Sequence, residues 1–193
     1  MKAKLTQEEM DKNVMDHMIL NGYHNTNVRE VMTSVGLNKG SFLNYYANKE
    51  EMGQSALSCF TKMLLGWQAQ VMAREDLTPF GQIELFYSAL INHYKTETGF
   101  TRGCLVGNFS TELADVNETF RLQLDEFFKT FNGNFAKTIR KSQELGEINH
   151  QGDPEALAEL LMMMWEGAVL RMKTTADSRP LDLFFHDFLK LLQ

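Results

Sequence analysis

Two stretches of this chain carry residue types that can do chemistry. The first is "GLNKGSFLNYYANKE", residues 36–50, where Phe42, Tyr45 and Tyr46 stand among amides, a serine and two lysines. Rings at that density call for a core, and the polar groups call for water or a polar partner. A helix with one face packed inward and the other on a polar partner satisfies both. Phe42 and Tyr46 lie four apart, so both can face a core, and Asn38, Lys39, Ser41 and Asn44 then point outward. The second stretch is "GCLVGNFSTEL", residues 103–113, in which Cys104 opens a short apolar helix after Arg102. The thiolate is the nucleophilic form of cysteine, and a helix N-terminus or a nearby cation lowers the thiol pKa. Cys104 therefore has a reactive reading beside the plainer one of a small hydrophobe packed next to Leu105. Cys59 has no such surroundings in the sequence and reads as structural.

Enzyme chemistry finds little support. The histidines at 17, 24, 93, 150 and 186 are scattered, with no His-Glu-x-x-His. There is no Glu-x-x-His repeat, no Gly-rich phosphate loop and no Gly-x-Ser-x-Gly elbow. A cysteine enzyme at Cys104 would need a paired base that the sequence does not identify. No cofactor or metal is expected.

The bulk numbers set the class. The chain has 193 residues, 44% hydrophobic and 23% charged, enough for one or two domains with a real core. No apolar run approaches the length of a membrane span, and "MKAKLTQEEMDK" has no signal-peptide core, so a cytoplasmic protein is expected. Two cysteines are too few for a disulfide scaffold. The net charge of −6 argues against a protein that coats nucleic acid non-specifically. Residues 1–52 carry six basic side chains against seven acidic ones, and the remainder 13 against 18, so the N-terminal part is less acidic without being basic. An arm of Lys2 and Lys4 lying along DNA would offset this in part.

Nearly every segment reads as helix. Thr6 caps a first helix with Glu9 completing a capping box, and "NGY" at 21–23 ends it at Gly22. A second helix starts near Asn27 on a Val28, Val31, Met32, Val35 stripe, and Gly36 breaks it. A third short helix runs from about Asn38 to Tyr45. Asn48 caps a long fourth helix to about Arg74, with Met52, Ala56, Cys59 or Phe60, Met63, Leu64 and Trp67 on its inner face. Thr78 and Pro79 start another that ends by Gly99. Asn117 caps a helix with the stripe Phe120, Leu124, Phe127, Phe131, Phe135 and Ile139, closed by Gly146. Asp153 and Pro154 open a Met-rich helix to about Lys173, and "SRP" at 178–180 introduces a last one to Leu192.

Helix, tight glycine turn, helix over 27–46 is the helix-turn-helix pattern, whose second helix enters the major groove. Extended to both sides, "GYHNTNVREVMTSVGLNKGSFLNYYANKEEM", residues 22–52, resembles the TetR family of repressors. The match is close at Gly22, Tyr23, Thr26, Val28, Glu30, Gly36, Lys39, Gly40, Phe42, Tyr46, Lys49 and Glu50. The resemblance implies an all-α fold: a three-helix helix-turn-helix domain over 1–50 that binds DNA, and a helical ligand-binding and dimerisation domain over 51–193. The DNA-facing set is then Thr26, Asn27, Arg29, Asn38, Lys39, Gly40, Ser41, Leu43, Asn44, Tyr45 and Lys49. Thr26 and Asn27 can reach phosphate oxygens, Arg29 a phosphate or a base edge, and Lys49 a phosphate. Gly40, lacking a side chain, lets the backbone approach the groove. Three positions depart from the family pattern. Asn27 replaces a second Thr, Met32 replaces an Ala, and Leu43 replaces a frequent Tyr, which points to a different operator preference.

"TRGCLVGNFSTELADVNETFR", 101–121, and "WEGAVLRMK", 165–173, look like the branch that contains repressors of N-ethylmaleimide-reductase and acrylate operons. In its electrophile-sensing members the cysteine of Gly-Cys-Leu is reactive, with a lysine after the Gly-Ala-x-x-Arg helix beside it. These positions are Cys104 and Lys173 here. The expectation is a homodimeric repressor released from a palindromic double-stranded operator by a small molecule or electrophile. The Met162–Trp165 run reads as dimer or core packing, and the last two long helices as a four-helix bundle with the partner's copies. Three alternatives stay open: release by a reversible ligand without cysteine chemistry, a thiol-dependent helical enzyme, and a helical adaptor that does not bind DNA.

Overall fold

The computed structural model describes residues 5–193, so the Lys2–Lys4 arm lies outside the described residues. These are all-helical, with no strand among them. The order is α1 (Gln7–Asn25), α2 (Val28–Ser34), a 3-10 helix (Lys39–Asn44), α3 (Lys49–Met72), α4 (Pro79–His93) prolonged by a π turn (Tyr94–Thr98), α5 (Leu105–Leu113), α6 (Glu118–Glu144), α7 (Pro154–Thr175) and α8 (Arg179–Leu183). The chain ends in a π turn (Phe184–Phe188) and a 3-10 turn (Leu189–Leu191), so the expected last helix is helical throughout but changes its winding twice.

The termini follow local chemistry. Thr6 and Glu9 form the reciprocal capping box, and Asn27, Asn38, Thr78 and Asp153 each accept a backbone N–H at the start of their helices. Gly36 at φ +74° ends α2, with its N–H donating to Thr33 and that of Leu37 to Met32.

The helices form two compact units. The first holds residues up to Leu64 together with Cys104–Leu124; the second holds Leu65–Gly103 and Asp125–Gln193. The first unit thus takes in more chain than the helix-turn-helix alone. Its core gathers Met10, Val14 and Met18 of α1, Val31 and Met32 of α2, Phe42, Tyr46, and Met52 and Ala56 of α3, all buried. Tyr23, Phe109 and Phe120 make a mutually edge-on triad with centroids 5.5–5.9 Å apart. Met32, bulkier than the family's Ala, is fully buried there.

The second unit is built on aromatic packing. Phe86 touches Phe131 and Phe135, and Trp67 stacks on it at 4.4 Å. Tyr87, Trp165 and Phe184 pack against one another at 4.8–5.2 Å. The α6 stripe from Phe120 to Ile139 is buried at all six expected positions. On α3 the expected inner face needs a correction: Met63 is 53% exposed, and Leu57 is buried in its stead.

Candidate nucleic-acid interface

The helix-turn-helix is assembled from α2, the Gly36 turn and the 3-10 helix. Phe42 and Tyr46 face inward with ring centroids 5.7 Å apart. The Tyr46 hydroxyl donates to Asp11 Oδ1 of α1 at 2.7 Å. Burial, followed by that bond, pushes the Tyr46 phenol far above its usual range, so it stays a donor. The inward face is therefore pinned to α1 by packing and by one charge-assisted bond.

The outward face carries Asn38, Lys39, Gly40, Leu43 and Asn44, all exposed, with Ser41 half-buried at its edge. Asn38 Oδ1 holds the Ser41 N–H and hydroxyl, fixing the start of the turn. A Cβ on Gly40 would sit 3.1 Å from that Asn38 oxygen, so the turn is tight there. Tyr45 is half-buried and donates its hydroxyl to the Leu5 carbonyl at 3.2 Å. Leu43 is 74% exposed and presents an apolar group where the family usually has a phenol.

A concavity beside this face is lined by His24, Asn25, Asn27, Lys39, Phe42 and Lys49, among others. It brings together Thr26, Asn27, Lys39 and Lys49 of the expected set, and Arg29 is exposed on the first turn of α2. Two of these side chains are placed differently from the expectation. Thr26 is 2% exposed, and its hydroxyl donates to the Gly22 carbonyl at 2.6 Å. It closes the turn between α1 and α2 and does not face outward. Lys49 donates to the His24 carbonyl at 3.0 Å, with its ammonium 4.9 Å from the Tyr23 ring centroid. Burial pulls its pKa below the usual lysine value, and the charge of Glu112 opposes this.

Cys104 belongs to the first unit and is buried, at the cap position of α5. The backbone leading to it holds Phe100 and Arg102 at φ +63° and +64°, a conformation that non-glycine residues rarely keep. Lys173 belongs to the second unit and is exposed in the last turn of α7. Cys59 is half-buried; burial and then Asp11, Glu8 and Asp16 push its thiol above the usual value. Neither cysteine is in a disulfide.

Sequence reasoning missed Glu112, Asn108 and Asp11, the residues that hold α1 to its neighbours. Asn108 and Glu112 are four apart within "GNFSTEL", a spacing that marks a common helix face. Their partners lie 89 and 88–89 residues away, beyond any local signal. Among the described residues no group of three or more His, Cys, Asp or Glu is gathered for a metal, and no helix is long and apolar enough to cross a membrane.

Residues 16–56 match the family described as "Bacterial regulatory proteins, tetR family", and residues 79–188 match "Tetracyclin repressor-like, C-terminal domain". The transcriptional regulator AcuR of Cereibacter sphaeroides is 30% identical over 96% of this chain and 84% of its own length. The HTH-type transcriptional repressor DhaR of Mycobacterium sp. is 32% identical over 84% of this chain and 80% of its own. The HTH-type transcriptional repressor NemR of Escherichia coli is 22% identical over 83% of this chain and 80% of its own. A crystal structure of the regulatory protein TetR from Rhodobacter sphaeroides superposes with a TM-score of 0.91, covering 98% of this chain and 100% of that one at 29% identity. Both AcuR and NemR are thus among the relatives of this chain. The chain belongs to the TetR family of transcriptional regulators.

Proposed function

We propose that this regulator is a homodimeric repressor that binds a palindromic DNA operator and leaves it when an electrophile modifies Cys104. The observation that carries operator binding is the exposed Asn38–Asn44 face standing beside a concavity with two lysines. Asn38, Ser41 and Asn44 read base edges, with Leu43 offering an apolar contact, and Gly40 allows close approach. Asn27, Arg29, Lys39 and Lys49 meet phosphates, and Tyr45 borders that surface. Thr26 contributes by holding the turn. In functional terms residues 1–50 bind DNA, and residues 51–193 sense and dimerise.

Dimerisation is supported by an apolar stripe on α7. Leu160, Met163, Met164 and Leu170 are 46–64% exposed and follow one helix face, with Leu183 and Leu191 exposed near the C-terminus. Large apolar side chains repeated along one face call for a partner surface.

Release through Cys104 is supported by its place at the head of α5 after a strained stretch of backbone, and by the poor nucleophilicity of Cys59. In this reading an electrophile adds to the Cys104 sulfur as its thiolate, the thiol proton going to solvent, and Lys173 is the second residue of the sensing pair that the family resemblance implies. The larger side chain then displaces α5. A coupling of about 1–3 kcal/mol changes operator affinity roughly 5- to 150-fold, which is enough for switching. The test is operator affinity, by gel shift, against N-ethylmaleimide dose for wild type, Cys104→Ser and Cys59→Ser. Cys104→Ser should bind the operator normally and stay bound, while Cys59→Ser is released like wild type. If Cys104→Ser is released as readily as wild type, a reversible ligand in the helical domain is the better account. Catalytic turnover of the electrophile would instead point to a thiol enzyme.

A further inference from the structure

The first unit contains a built contact between α5 and the hinge of the helix-turn-helix. At Gly22 the α1 backbone takes φ +76° and ψ 174°, which interrupts the helix three residues before its end. An interruption of this kind strips Tyr23 and His24 of their intrahelical acceptors and leaves the Ile19 carbonyl without its intrahelical donor. Side chains of α5 supply both. Glu112 Oε1 accepts the Tyr23 N–H at 3.1 Å and Oε2 the His24 N–H at 3.0 Å, and Asn108 Nδ2 donates to the Ile19 carbonyl at 3.4 Å. Asn108 and Glu112 are one helical turn apart, so a single face of α5 clasps both sides of the break. The next carbonyls are taken as well: Gly22 by the Thr26 hydroxyl, His24 by the Lys49 ammonium. A carboxylate across two backbone N–H groups forms charge-assisted bonds, the stronger kind.

From this geometry we infer that Glu112 is a positioning residue for operator recognition. Its carboxylate fixes the angle at which α1 hands over to α2, and through Tyr23 and His24 it fixes where Lys49 sits beside the concavity. Glu112 does not touch DNA in this account; it acts through the hinge. The sign of its effect separates this role from plain electrostatics. Removing an acidic group should strengthen attraction to the phosphate backbone for every sequence alike. Loss of the hinge should weaken the fit to one sequence.

The inference rests on operator binding, and the experiment keeps the two apart. Wild-type protein is used to select its preferred duplex from random-sequence DNA. Affinities for the selected and for random duplexes are then measured by fluorescence anisotropy for wild type, Glu112→Gln and Glu118→Gln. Glu118 is an exposed carboxylate of the same unit, paired with Arg121, and serves as the charge-matched control. Glutamine can accept only one of the two N–H groups. Glu112→Gln should therefore lower the ratio of selected to random affinity by about tenfold, the equivalent of one charge-assisted bond, while random-duplex affinity holds or rises. Glu118→Gln should leave the ratio at the wild-type value. A lowered folded fraction reduces both affinities equally, so the ratio remains readable. Amide hydrogen exchange gives a second reading without DNA: Tyr23 and His24 should both be protected in wild type, and one of the two should lose protection in Glu112→Gln. An unchanged ratio, or fast exchange of both amides in wild type, overturns the inference. A wild-type protein that selects no sequence would fail the operator reading instead, and the exchange measurement would still decide whether the clasp exists.

Discussion

Replacing Gly22 by alanine tests how much of the first unit's stability is held at the hinge. A Cβ built on Gly22 lies 2.4 Å from Glu112 Oε1 and 3.0 Å from its carboxyl carbon. The clash is with the far end of a flexible side chain, so Glu112 can rotate away and the overlap itself is cheap. Two other effects dominate. The backbone at φ +76° and ψ 174° is close to a glycine-only conformation, and an L side chain there costs about 1–3 kcal/mol. Moving Glu112 also releases the Tyr23 and His24 N–H groups. Charge-assisted bonds contribute about 1.5–3 kcal/mol each, but Glu112 is only half-buried and water replaces part of this, so about 1–2 kcal/mol for the pair is the working figure. The sum is about 2–5 kcal/mol, a large share of the roughly 5–15 kcal/mol that holds a typical protein together. The melting temperature, followed by far-UV circular dichroism, should fall by about 10 °C. In a Glu112→Ala background only the backbone part remains, so the same substitution should cost about 1–3 kcal/mol there. A loss below about 1 kcal/mol in the wild-type background would refute the reasoning, because it would mean that the hinge relaxes at no expense.

Lys49→Ala should lower operator affinity for all sequences alike and reduce the salt slope by about one ion, with about 1 kcal/mol of stability lost from its bond to His24 and its place over Tyr23. If salt slope and affinity stay put while stability falls, Lys49 is a hinge residue only. Gly133→Ala, in the interior of α6 with nothing within 4 Å of the added methyl, should raise stability by about 0.5–1 kcal/mol in denaturant titration. Met163→Glu, on the exposed stripe of α7, should convert the proposed dimer to monomer in sedimentation and weaken operator binding with it. Because burial and three carboxylates raise the Cys59 thiol, its thiolate fraction is below that of an ordinary cysteine at neutral pH, and its alkylation should accelerate only as pH rises above the usual thiol range. Mass spectrometry of the modified peptides at several pH values reads this, and rapid neutral-pH labelling of Cys59 would contradict it.

The parts of the fold that could be read from the sequence are those written in neighbouring residues. The capping box at Thr6, the Gly36 turn, the Asn38 cap and the inward pair Phe42 and Tyr46 all depend on residues within a few positions of each other. The six-residue stripe of α6 is a periodic signal of the same kind. What escaped the reading depends on distant partners. Thr26 looked like a phosphate ligand because its hydroxyl had no visible acceptor, and the positive φ of Gly22 places that acceptor against it. Lys49 looked free for a phosphate, and its bond to a carbonyl 25 residues earlier exists only once α1 and α3 are packed. Met63 fits the helical period of the inner face as well as Leu57 does, so the period alone could not choose between them. The turns of the last helix into π and 3-10 winding have no counterpart in its composition.

Both tryptophans of the chain, Trp67 stacked on Phe86 and Trp165 beside Tyr87 and Phe184, lie in the second unit. Indole emission excited selectively therefore reports on that unit alone, and the helix-turn-helix is dark to it. A fluorescence melt would record the aromatic core of the second unit coming apart and pass over any earlier loss of the DNA-binding face. Ring stacking at 4.4 Å also makes Trp67 a sensitive reporter of movement in α4 relative to its own part of α3. Light from this protein follows its second unit, and the state of the unit that carries the helix-turn-helix has to be seen through the tyrosines Tyr23, Tyr45 and Tyr46 or through the backbone.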